Sequence, residues 1–140
     1  MTARVPLTGA ARLGLALVAL IGVSWIVAAF APCDAGCPAE GPPRQALHNL
    51  SGVIGYSGGG VGLLVLAAAL RTAGATAARV ALTAGCGVVL LVGLVAMASP
   101  ELSPVRGALQ RVMELTASAW IVAIAWSEPL RVRSGASAGA

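Results

Sequence analysis

Four long apolar stretches, at about residues 13–30, 46–70, 80–98 and 108–126, dominate a chain of only 140 residues. Each is close to the roughly 20 residues that an α-helix needs to cross about 30 Å of hydrocarbon. Charged residues make up 10% of the chain and hydrophobic residues 58%, whereas a soluble domain carries about 25% charged residues. A chain this short has too little interior to hide so much apolar surface from water. Lipid is the solvent that fits. The roughly ten-residue alternating segments of a β-barrel are absent. The expected fold is therefore all-α: an integral membrane four-helix bundle, a single transmembrane domain over residues 1–140.

Polar separators set the expected topology. Residues 31–45 hold four of the eight prolines, two cysteines and two acids. Residues 71–79 form a short Gly/Ala/Thr turn with Arg71 and Arg79 at its ends. Pro100 and Pro104 suit a helix stop and a helix start. All nine basic residues are arginine. Arg4 and Arg12 precede the first stretch, Arg71 and Arg79 flank the second loop, and Arg131 and Arg133 follow the last stretch. By the positive-inside rule these three regions face the cytoplasm, so both termini are inside and the first and third loops face outward. The net charge of +4 is thus read as topology. No basic stripe with an aromatic platform accompanies it, and nucleic acid is not an expected partner. The Ala, Gly and Arg bias suggests a GC-rich bacterial genome, and the expected location is the bacterial inner membrane.

Two alternatives bear on the first half of the chain. Residues 13–30 have the length of a cleaved signal peptide, but Pro32 is a poor residue after an Ala29-Phe30-Ala31 cut, so retention as a span is favoured. Pro42-Pro43-Arg44-Gln45-Ala46-Leu47 echoes Pro104-Val105-Arg106-Gly107-Ala108-Leu109. The echo fits either two related hairpins or chance in an Ala/Leu-rich chain.

Polar residues inside the spans are the candidates for function. His48, Gly52, Gly55, Gly59 and Gly62 recur at spacings of four and three, which puts them on one helix face. The glycines are read as a groove for close helix packing, with His48 pointing the same way. Gly107, Arg111, Glu114 and Ser118 share a face of the fourth span, with Gln110 one turn before Glu114. Charge at such depth normally faces the bundle or a water pocket. Arg111 and Glu114 at i, i+3 can pair along the helix, about 7 and 12 Å from its start at 1.5 Å per residue. His48 and Asn49 enter from the same side. Two readings follow: one outward-opening polar pocket lined by His48, Asn49, Gln110, Arg111 and Glu114, or a buried ion pair with His and Asn caps that sets helix register.

Cys33 and Cys37, spaced C-x-x-x-C in an outward loop, fit a disulfide in an oxidising compartment. A redox pair would more usually be C-x-x-C, and no second pair is present to relay electrons. Metal binding by Cys33, Cys37 and His48 would need a further ligand, with Asp34 the near candidate; no metal and no cofactor is expected. Cys86 reads as a small packing residue. Trp25, Trp120 and Trp126 read as interfacial anchors. Phosphate loops, nucleophile elbows, zinc-protease motifs and dinucleotide fingerprints are not found.

Cys33-x-x-x-Cys37-Pro38-x-x-Gly41, Leu47-His48-Asn49-Leu50-x-Gly52, and Arg106-Gly107-x-Leu109-Gln110-Arg111-x-x-Glu114-Leu115 leading to Trp120 together resemble bacterial membrane proteins grouped as domain of unknown function 998. The resemblance covers most of the chain and implies a multi-span helical protein. It supplies no activity. Larger members have more than four spans, so it implies a short form.

Three functional readings stay open. The favoured one is non-enzymatic: an accessory subunit, or a binder of lipid or another amphiphile through the outward pocket. The second is a membrane enzyme using His48 and Glu114 on a lipid-like substrate. The third is a thiol–quinone oxidoreductase using Cys33 and Cys37, which falls one cysteine pair short of that pattern. The glycine-rich surface leads to the expectation of a homo-oligomer or a larger membrane complex.

Overall fold

The computed structural model describes residues 8–127, and all regular structure among them is helical. Helix α1 spans Gly9–Phe30, α2 Pro43–Thr72, α3 Ala77–Ala98 and α4 Arg106–Ser127, with a short 3₁₀ segment Pro100–Val105 leading into α4. All four helices are long and apolar enough to cross a membrane. Arg4, Arg131 and Arg133, which carry part of the expectation that both termini are inside, lie outside the described residues.

Each helix begins two to four residues before its apolar stretch, because local chemistry, not hydropathy, stops a helix. The Thr8 hydroxyl accepts from the Ala11 amide at 3.2 Å and caps α1. Thr76 does the same for the Arg79 amide at 3.4 Å at the start of α3. Both satisfy orphan N–H groups of a first turn. Helix α2 starts at Pro43, in the first helical position, where proline's missing N–H has no partner to lose. It ends on Gly74, at φ +75°, a conformation that suits glycine at a helix C-terminus. The Ala75 amide there reaches back to the Leu70 carbonyl at 3.0 Å and the Gly74 amide to Arg71 at 3.1 Å.

Helix α2 is the centre of the molecule. Half of its membrane-length window is buried, against 17% to 22% for the other three helices. It packs on α1 and on α3, and α3 packs on α4; the backbone of α4 does not come close to that of α1 or α2, and α4 meets α2 through side chains only, as where the Tyr56 hydroxyl reaches Gln110 and Glu114. Two glycine crossings set these contacts. At the α1/α2 crossing, a Cβ on Gly62 would lie 2.7 Å from Leu17 Cβ and 2.8 Å from the Gly14 carbonyl oxygen. At the α2/α3 crossing, a Cβ on Gly87 would lie 2.8 Å from the Gly60 oxygen. Van der Waals contact replaces the hydrophobic drive between helices in lipid, so backbones that approach this closely maximise the available attraction. Gly55 and Gly59 also face α1, where added Cβ atoms would collide with Ser24 and Ile21. Gly52 differs: a Cβ there would meet only Tyr56 of its own helix, at 3.8 Å.

The core lies at about mid-span. Leu63 and Leu90 are fully buried, Met113 and Ala117 nearly so. Trp120 departs from its expected place at the interface. It is 5% exposed, and its indole N–H donates to Thr83 Oγ1 at 3.1 Å. A polar partner inside the bundle satisfies the indole N–H, which removes the need for an interfacial position. Trp126, by contrast, is 73% exposed.

Candidate functional site

At the end of the bundle opposite the α2/α3 turn, the backbone of α4 stands away from that of α2, and a cavity of about 370 Å³ opens between the helices. This end carries the C-terminus of α1, the N-terminus of α2, the C-terminus of α3 and the N-terminus of α4. The loop of residues 31–42, which joins α1 to α2, covers part of the opening.

The loop is built around a disulfide between Cys33 and Cys37, whose Cα atoms are 5.2 Å apart. The Cys37 amide donates to the Asp34 carbonyl at 2.9 Å, closing a turn whose third residue, Gly36, has φ +79°. That position calls for glycine. Gln45 and Asn49 then tie the loop to the first turns of α2. Gln45 is fully buried; its oxygen accepts from the Asp34 amide at 2.7 Å, and its nitrogen donates to the Pro38 carbonyl at 2.9 Å and to Asn49 Oδ1 at 3.0 Å. Asn49 Nδ2 donates to the carbonyls of Pro38 and Ala39, each at 3.0 Å. An Asp34–Arg44 ion pair lies outside this network.

His48 is the hinge between loop and cavity. Its Nδ1 lies 2.9 Å from the Ala31 carbonyl oxygen. A carbonyl only accepts, so the neutral ring carries its proton on Nδ1 and presents the Nε2 lone pair. Nε2 faces Cys37 Sγ at 3.8 Å.

On the other wall, Gln110 and Glu114 of α4 line the cavity. Gln110 donates to one carboxylate oxygen of Glu114 at 3.0 Å, and Arg111 donates to the other at 2.7 Å. The Arg111 side chain itself is 77% exposed, against 23% for Glu114. The structure therefore gathers His48, Asn49, Gln110 and Glu114 around one cavity, while Arg111 reaches Glu114 from outside it. Gly107 and Ser118, on the expected face of α4, are exposed. The buried face of this helix is instead Met113, Ala117 and Trp120.

Three lining residues were not singled out from the sequence as pocket residues. Tyr56 is buried, and its hydroxyl sits among Trp25, Gln110 and Glu114. It lies one turn beyond Gly52 on the His48 face, a spacing that could have found it. Trp25 also lines the cavity, and its buried indole Nε1 has no well-formed hydrogen bond among the described residues, with the Tyr56 hydroxyl its neighbour. Arg106 closes the mouth: Nε donates to the Met97 carbonyl at the end of α3 at 3.0 Å, and NH1 to the Cys37 carbonyl at 3.4 Å. Among the described residues no carboxylate pairs with it. Apolar walls come from Leu94, Met97 and Val53. The hydroxyls of Ser24 and Ser51, also in the lining, donate to carbonyls of their own helices at 2.8 Å each, so they need no other partner.

Four membrane-length helices around a largely apolar cavity with a few polar groups define the class: a multi-pass α-helical membrane protein. The chain matches a family model described as protein of unknown function DUF998 over residues 1–127, and it belongs to that family. Four helices fit a short form. No curated protein and no solved structure matches it.

Proposed function

We propose that this chain is a non-enzymatic membrane protein that binds an amphiphile, with the headgroup in the cavity and the acyl portion leaving between α1 and α4. The observation that carries the reading is the composition of the cavity. About 370 Å³ falls within the usual range for small-molecule sites, roughly 300–1,000 Å³, and is enough for a headgroup. Donors converge on it: the Trp25 indole N–H, which has only the Tyr56 hydroxyl near it, and Arg106, held among the described residues by two backbone carbonyls. Both are donors, which favours a headgroup rich in anionic oxygen. The backbones of α1 and α4 do not approach closely, which leaves a lateral exit for a chain.

Binding is favoured over catalysis by the state of the two groups an enzyme would use. His48 spends its one proton on a backbone carbonyl, and Glu114 is held by Gln110 and Arg111. Neither is positioned as a free acid or base. The disulfide loop is proposed to face outward from a bacterial inner membrane, where an oxidising compartment maintains such bonds. The exposed apolar faces of α1 and α4 are proposed to meet lipid, further copies of the chain or a larger partner.

The reading is tested by native mass spectrometry of the full chain extracted with its surrounding lipid in polymer discs. Wild type is compared with Arg106→Gln and Glu114→Gln. Loss of a charge-assisted hydrogen bond is worth about 1.5–3 kcal/mol, so amphiphile occupancy should fall about tenfold or more in Arg106→Gln. Equal occupancy in all three proteins, with only loosely held bilayer lipid released, would overturn it.

A further inference from the structure

Cys33 Sγ, Cys37 Sγ and a ring nitrogen of His48 all lie within 4.8 Å of one another. Two of these residues, Cys37 and His48, also line the cavity. We propose that reduction of the disulfide turns this cluster into a Cys₂His site for one thiophilic divalent cation of the zinc type, with its fourth coordination position open to the cavity. The inference is independent of the amphiphile reading.

The case rests first on the orientation of His48. The Ala31 carbonyl fixes the Nδ1–H tautomer, the arrangement that metal-ligating histidines use to hold the other nitrogen toward the ion. That other nitrogen, Nε2, points at Cys37 Sγ from 3.8 Å. A disulfide sulfur has no proton to give, so the bonded state leaves this lone pair without a donor. The second point is size. Zinc–sulfur bonds of about 2.3 Å and zinc–nitrogen bonds of about 2.0–2.1 Å hold donor atoms roughly 3.6–3.8 Å apart in tetrahedral geometry, which matches the nitrogen–sulfur separation already present. The third is the support around the ligands. Gln45 and Asn49 clamp the loop to α2, so the cysteines stay beside His48 once their bond is cut. Asp34 is engaged by Arg44, which leaves the fourth position to a water or to a ligand atom from the cavity. Three protein ligands and one open position is the pattern of catalytic zinc.

The chemistry balances as a two-electron step followed by ligand exchange. A dithiol donor passes two electrons and two protons to the Cys33–Cys37 bond, the sulfur–sulfur bond breaks, two thiols form, and the donor becomes its own disulfide. The cation then displaces both thiol protons as two metal–sulfur bonds form. Oxidation reverses the sequence and expels the ion, so the site is loaded only under reducing conditions.

The experiment uses the full chain in detergent, in a Cys86→Ala background so that the remaining thiol contributes nothing. Protein is reduced with a phosphine, freed of it, and titrated with Cd²⁺ while the thiolate-to-cadmium absorption is followed; Zn²⁺ is then added as competitor. Reduced protein should take up one equivalent, and the disulfide form none. Cys33→Ser should abolish the absorption band. His48→Gln, whose side-chain amide can still donate to the Ala31 carbonyl, should weaken uptake at least about tenfold, the lower end of what supporting groups alone contribute to metal affinity. Circular dichroism on each variant checks that the helices persist. Equal affinity of the reduced and disulfide forms, or full-strength uptake in helical His48→Gln, would overturn the proposal.

Discussion

Trp120 on α4 donates its indole N–H to Thr83 Oγ1 on α3 at 3.1 Å, and the same threonine hydroxyl donates to the Arg79 carbonyl one turn earlier, at 2.9 Å. Both side chains are buried. Because the backbone of α4 comes close to no helix other than α3, this bond is a main determinant of where α4 sits. Thr83→Val keeps the shape but leaves the indole N–H buried and unpaired. In a membrane such bonds contribute about 0.6 kcal/mol on average and at most about 1.7. Thr83→Val should therefore cost on the order of 1 kcal/mol, and a double-mutant cycle with Trp120→Phe should return a coupling near 0.6. Refolding equilibria in mixed micelles would measure it; a coupling of zero would show that packing alone places α4.

The two glycine crossings carry a sharper expectation. A Cβ at Gly62 meets backbone atoms of α1, the Gly14 oxygen and the Val18 nitrogen, each at 2.8 Å, and backbone cannot step aside. Gly62→Ala should separate α1 from α2 and destabilise by about 1–3 kcal/mol, the usual range for overpacking. Gly85→Ala, where a Cβ would meet nothing within 4 Å, should be neutral or slightly stabilising. Similar losses at both positions would contradict the assigned crossing.

Gln45 predicts how the loop responds to reductant. Its buried amide joins the Asp34 amide, the Pro38 carbonyl and Asn49. Gln45→Ala leaves the part-buried Asp34 amide without its partner, at about 1–3 kcal/mol, and removes one of the two donors to the Pro38 carbonyl. The loop should loosen, and the Cys33–Cys37 bond should be reduced about tenfold faster or more than in wild type. Timed maleimide labelling after brief reductant exposure provides the readout. An unchanged rate would mean that the disulfide, not Gln45, keeps the loop in place.

Orientation can be read from the same bond. With the loop on the oxidising side of the membrane, a Cys86→Ala chain in intact cells should take up no maleimide until a reductant is added, and two afterwards. Immediate labelling of both cysteines would place the loop in a reducing compartment.

How much of this was legible beforehand depends on the range of the interaction. The existence of four spans, the pairing of Arg111 with Glu114, and the closeness of Cys33 to Cys37 depend on hydropathy summed over a window or on residues three or four apart. Helix periodicity and lipid length dictate such features locally. Helix ends were less legible, because Thr8, Thr76 and Pro43 set them through single hydrogen bonds or a missing donor. Trp120 was misplaced as an anchor, since nothing near it in sequence reveals that Thr83, 37 residues away, would receive its N–H.

The sequence by itself determined the solvent, the secondary structure, the number of membrane-length helices and the residue types available for a polar site. Only the tertiary structure decided that α2 is central and that the backbone of α4 packs closely on α3 alone. It also decided that Tyr56, Trp25 and Arg106 join His48 and Glu114 around one cavity while Arg111 stays outside it. The physical reason is that lipid makes every apolar face acceptable. Hydropathy then no longer selects which faces meet, and the choice passes to close contacts such as Gly62 on Gly14 and to a few buried polar bonds between helices.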